Sequence, residues 1–72
     1  MLYDVWLWLT LAHLDQADIT CRVDAKSVDD AACCALRRYH LTTVAYAWVS
    51  ALEHIPGTIV SRQWGPVSLE VR

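Results

Sequence analysis

Glycine is nearly absent from this chain. Its 72 residues hold two, Gly57 and Gly65, each beside a proline. A phosphate cradle needs several closely spaced glycines, and a strained serine nucleophile needs the G-x-S-x-G turn; neither can be written here. Lysine is scarce as well, with Lys26 standing against five arginines. Acidic residues outnumber basic ones by eight to six, for a net charge of −2. Affinity for nucleic acid grows with the phosphate charge a protein neutralises, so DNA or RNA is not the expected partner.

The three cysteines, Cys21, Cys33 and Cys34, are odd in number and show no C-x-x-C spacing. That excludes a disulfide framework and a paired-thiolate zinc site, and it fits a reducing compartment. The apolar opening MLYDVWLWLTLAHL resembles a leader, but it has no basic start, carries Asp4 and shows no small-residue cleavage site. It is also shorter than the ~20 residues a membrane-spanning helix requires. The expectation is a soluble cytoplasmic protein with no membrane segment, no metal and no cofactor.

What the chain has in plenty is apolar surface. The apolar fraction is 56%, with four tryptophans. A single core of this size supplies only ~3–5 kcal/mol of net stability and leaves much of the chain exposed. Apolar side chains in excess of the available interior point to association, as a homodimer or with a protein partner.

Periodicity divides the chain into one domain, residues 1–72. Tyr3, Val5, Leu7, Leu9 and Leu11 alternate with Asp4, Trp6, Trp8 and Thr10, which predicts a strand. After the turn-forming HLDQAD, Ile19, Cys21, Val23 and Ala25 alternate with Asp18, Thr20, Arg22 and Asp24, a second strand forming a hairpin with the first. Ser27 opens a helix. SVDD sets a serine oxygen at the N-cap with Asp30 three residues on, and two acids in the first turn suit the helix dipole. Val28, Ala32, Ala35, Leu36 and Tyr39 share its apolar face, and Arg37, Arg38 and His40 close it.

Residues 43–55 can be read two ways. Val44, Ala47, Trp48, Ala51, Leu52 and Ile55 fall on one helical stripe, and the alanines and the closing Pro56-Gly57 favour a second helix. The strand alternative sets Val44, Tyr46, Trp48 and Leu52 on one face. From Thr58 onward TIVSRQW and VSLEVR predict a second hairpin, with Val67, Leu69 and Val71 inward. The expected fold is a two-layer α+β domain in the order strand-strand-helix-helix-strand-strand. The alternative is strand-strand-helix-strand-strand-strand, with one helix on an antiparallel sheet.

Chemistry is hard to find. Helical neighbours lie about 100° apart, so Cys33 and Cys34 diverge and cannot pair with each other. They are candidate reactive thiols only through Arg37 and Arg38 four residues on; as small side chains flanking a buried stripe they need no chemistry. His40 and His54 sit where helix ends favour a cation, and no acid stands at triad spacing from them or from His13. Asp29 and Asp30 are accounted for by capping. No enzyme activity is expected.

A helix-turn-helix over residues 28–55 would offer Thr43, Tyr46, Ser50 and Glu53 to DNA, without the Arg, Lys, Asn or Gln that read base edges. It is kept as the alternative function, a nucleic-acid-binding regulator. The leading expectation rests on tryptophan. Trp6 and Trp8 lie opposite the aliphatic row of strand one, with Thr10 continuing their row and Arg22 on the wet face of strand two. Exposed together, the indoles present about 300–500 Å² of a kind enriched at interfaces. If two helices instead cover both sheet faces, the same indoles are core.

The passage VDAKSVDDAACCALRRY, with the short length and arginine-rich usage, resembles small bacteriophage and actinobacterial proteins of unknown function. The resemblance implies a small cytoplasmic protein that acts by binding, on a host factor if phage-encoded.

Overall fold

The computed structural model describes residues 1–53 and 61–68. The elements are β1 (Leu2–Trp8), β2 (Ile19–Asp24), α1 (Val28–Arg38), β3 (Thr43–Val44), β4 (Tyr46–Ala51), β5 (Ser61–Trp64) and β6 (Val67–Ser68). Four strands make an antiparallel sheet in the order β2-β1-β4-β5, and β3 pairs with β6 apart from it. The result is a small α+β fold with one helix among the described residues. The chain envelope measures 34 × 33 × 17 Å, a slab two layers deep.

The expected first hairpin forms. Tyr3, Val5 and Leu7 stand opposite Val23, Cys21 and Ile19 in an antiparallel ladder. Its strand ends earlier than the apolar row suggested. Leu9 and Leu11 lie beyond Trp8, 46% and 62% exposed, in the connection that runs to Asp18.

The helix begins where its caps predict. Ser27 Oγ accepts the Asp30 N–H at 3.1 Å, and Asp30 Oδ2 accepts the Lys26 N–H at 3.2 Å, one residue outside the usual capping box. Asp29 holds Arg62 of β5 at 2.7 Å. Val28, Ala31, Ala32, Ala35 and Leu36 are buried against the sheet. The three alanines let the helix backbone approach closely, so the sheet supplies the bulk through Tyr3, Val5, Leu7, Val23 and Val49. Tyr39, expected on the buried face, is 40% exposed and serves as the C-cap.

The helix ends differently from expectation. Leu41 N–H donates to Leu36 O at 2.8 Å and His40 N–H to Arg37 O at 3.1 Å, while His40 has φ 56°. This is a Schellman ending with histidine in the left-handed position that glycine fills most cheaply. His40 therefore closes the helix through its backbone conformation.

The expected second helix does not form among the described residues. Residues 43–51 are strands, and the reason is a change of phase at Ala45. Val44 is buried on β3; from Tyr46 on, Ala47 and Val49 are the buried residues. Val44 and Ala47 are therefore both inside at a spacing of three, which imitates a helical stripe. The Ala45 N–H bonds Trp8 O at 2.9 Å, one residue out of register with the Trp8–Tyr46 pairing. Val44, Tyr46 and Trp48 thus do not share one face. The single-helix alternative has the right helix count, but the strands after α1 number four among the described residues.

The second hairpin is also revised. β5 pairs with β4 and β6 with β3, not with each other. The turn between them packs against β4: a Cβ at Gly65 would run into the Ala45 carbonyl. Val67 is inward, as expected. His54, Ile55, Leu69 and Val71 lie outside the described residues.

Candidate protein-binding face

Helix α1 covers one side of the sheet. No described element covers the other, and the register of the ladders decides what stands there. Asp4 lies opposite Arg22 and Ser50, Trp6 opposite Thr20 and Trp48, and Trp8 opposite Tyr46; Gln63 faces Trp48 from β5. Residues directly opposite in antiparallel strands share a face. The open side is therefore a grid with a polar row (Arg22, Asp4, Ser50, Ser61), a mixed row (Thr20, Trp6, Trp48, Gln63) and an aromatic row (Trp8, Tyr46).

The rings touch in two pairs. Trp6 and Trp48 have centroids 5.2 Å apart with planes tilted by 38°, and Trp8 meets Tyr46 edge-on, also at 5.2 Å. Both lie in the range where aromatic pairs contribute beyond their area. Tyr46 donates its hydroxyl to Gln63 Oε1 at 2.7 Å. Arg22 Nε donates to Asp4 Oδ1 at 3.0 Å, so this guanidinium and carboxylate neutralise each other; a second carboxylate, Asp24, stands opposite Leu2 at the end of the same face.

Trp6 is half-buried and Trp48 is 39% exposed, whereas Trp8 is only 6% exposed. Trp8 is thus the floor of the aromatic row and not an exposed indole, contrary to expectation. Its Nε1–H is buried and has no acceptor among the described residues. Leu14, 52% exposed, leans in from the β1–β2 connection and joins Trp8, Tyr46, Trp48 and Gln63 around a hollow of about 260 Å³. A second hollow, about 390 Å³, opens between Asp4, Trp6, Thr20 and Arg22.

Of the site residues expected from sequence, Trp6, Trp8 and Arg22 come together on this face. Thr10 does not join them: it lies past the end of β1, where its Oγ1 accepts the Ala12 N–H at 3.4 Å. Tyr46, Trp48 and Gln63 were not foreseen. Period-two alternation across 46–50 was the available signal.

Cys33 and Cys34 sit half-buried on α1, away from the open face, and Cys34 packs on the core rim. Cys21 is half-buried against the core on edge strand β2, where burial pushes its thiol pKa up and nearby Arg38 partly opposes the shift. His13 has an acidic partner the spacing did not show. Its Nε2 lies 2.9 Å from Asp18 Oδ1, and Asp18 Oδ2 accepts the Leu9 N–H at 2.7 Å. Among the described residues no group of three His, Cys, Asp or Glu side chains could hold a metal ion, and no helix is long and apolar enough to cross a membrane.

Comparison with known proteins returns no matching family model, no matching curated protein and no matching solved structure.

Proposed function

We propose that the protein is a non-enzymatic protein-interaction module of the cytoplasm and that the open sheet face is its binding surface. One observation carries this reading: a four-stranded sheet with one helix-covered side and an opposite side bearing Trp6, Trp8, Tyr46 and Trp48. Aromatic residues are enriched where interfaces concentrate their energy, and charge is depleted there. With Arg22 paired to Asp4, and Asp24 on the same face, no excess positive charge is left to attract phosphate, which favours protein over nucleic acid. The helix-turn-helix alternative has lost its second helix, since residues 43–51 are strands.

The test compares proteins retained from cells of the native source by the immobilised wild type and by the Trp6→Ala, Trp8→Ala double variant. The reading expects a retained partner, or self-association, that the variant loses while its circular dichroism stays native. A folded double variant with unchanged assembly and unchanged retention would overturn it.

A further inference from the structure

We infer that the occupant of the open face is a second copy of this chain, packed sheet on sheet about a two-fold axis parallel to the strands between β1 and β4. The inference rests on the interaction reading above and names its partner. Such an axis lays β1 over β4 of the other copy and β2 over β5, and keeps every row of the grid on itself. Trp6 then faces the partner's Trp48, and Trp8 faces the partner's Tyr46. Thr20 faces the partner's Gln63, Asp4 its Ser50, and Arg22 its Ser61. Apolar meets apolar, Asp4 and Arg22 each meet a hydroxyl, and no like charges are opposed in these rows. An axis across the strands through the Trp6–Trp48 row would instead set Asp4 against the partner's Trp8 and Ser50 against the partner's Tyr46, burying a carboxylate on an indole.

The dimensions agree. A standard interface buries about 800 Å² on each partner, and the broad side of the slab spans 34 × 33 Å. Leu14, Leu2 and Leu52 are all more than 40% exposed; Leu14 borders the aromatic row, and Leu2 and Leu52 lie at the other end, beyond the polar row. Aligned packing of two sheets is a common way to bury such faces. The β2 edge is a poorer route to assembly. Arg22 and Asp24 line it, and Arg38 Nη1 already takes the Arg22 carbonyl at 3.0 Å, as edge strands guarded against pairing do.

Sedimentation equilibrium of the wild type should give twice the 8.2 kDa chain mass, and Trp48→Asp should give a folded monomer. The arrangement itself is tested by cross-linking, in a background with the three native cysteines replaced by alanine. Two single variants, Thr20→Cys and Gln63→Cys, are mixed and treated with a thiol reagent of ~10 Å reach. Facing sheets lie about 10 Å apart, whereas strands three places apart in one sheet lie about 14 Å apart. The mixture should give a cross-linked dimer several-fold more abundant than either variant alone. A monomeric wild type at every concentration overturns the second-copy assignment, and the retention experiment then decides the broader reading by itself. A dimer that survives Trp48→Asp, or that cross-links no better when mixed, also overturns it.

Discussion

The two sides of one sheet are built on opposite plans. On the helix side Val5, Leu7, Ala47 and Val49 are fully buried, each fitted against the alanine stripe of α1. On the other side the same strands carry Trp6, Trp8, Tyr46 and Trp48, larger side chains that bury mainly one another. The difference shows where this sequence spends its bulk. A short chain with an alanine-faced helix needs only modest aliphatic residues to fill the space beneath it. Aromatics, the largest apolar side chains available, stand on the side that no described helix covers, with Trp48 39% exposed above the buried Trp8. That is uneconomical for a lone monomer and sensible for an associating one.

The sharpest way to break the comparison is to cut each side in turn. Leu7→Ala leaves a cavity under the helix and should cost about 2–5 kcal/mol in urea unfolding, a large share of the stability of so small a domain. Trp48→Ala removes a larger side chain from the open face. Measured where the chain is monomeric, it should cost only about 0.5–1.5 kcal/mol, the contribution of its pairing with Trp6. Equal costs would mean that the open side is core, and the binding reading would fail with it.

How much of this was legible in the sequence depended on how local the signal was. β1, β2 and the start of α1 were readable because alternation and capping are written within a few residues. Residues 43–51 were not, because the phase change at Ala45 placed buried side chains three apart and counterfeited a helix. That misreading also split the site: on a helical wheel Trp48 joins the apolar stripe while Tyr46 falls on the far side. The Trp6–Trp48 and Trp8–Tyr46 contacts depend on the β1–β4 register, which no short window contains. Likewise, nothing about histidine announces a left-handed backbone, so His40 was read for its charge.

His40 offers a smaller test, confined to the covered side because it closes the helix that does the covering. A non-glycine residue at φ 56° carries a conformational cost. His40→Gly relieves it, less the extra freedom glycine brings to the unfolded chain, for a net gain of about 0.5–1 kcal/mol. His40→Val should lose stability instead, since a β-branched residue resists the left-handed region. Neither change should alter assembly, because position 40 lies on the helix side. A His40→Gly chain that is no more stable than the wild type would show that the imidazole itself contributes at the helix end.

The smallest effect belongs to the open side, in the connection that carries Leu14 to the aromatic row. The hydrogen bond to Asp18, and then the charge of that carboxylate, raise His13 above its ordinary 6.5. The same hydrogen bond, followed by the Leu9 N–H, holds Asp18 below its ordinary 3.8. A raised imidazole value means that the pair's contribution is complete below pH 6.5 and lost as pH climbs through the folded value. A depressed carboxylate value means that it is complete above pH 3.8 and lost as pH falls through the folded value. Residues 9–18 should therefore be held most firmly between those limits. Amide exchange there, at Leu9 above all, should quicken on either side once the intrinsic pH dependence is removed. In proton NMR His13 should titrate above 6.5, and Asp18→Asn should lower it toward that ordinary value, because the charge and the strong acceptor are gone while the weaker pull of Asp15 remains. The asparagine oxygen can still accept the Leu9 N–H, so the variant separates the ion pair from the backbone tie. If Leu14 leans on the aromatic row through the ion pair, Asp18→Asn will also shift the indole resonance of Trp48. If the backbone tie alone places Leu14, that resonance will stay where it is while His13 moves.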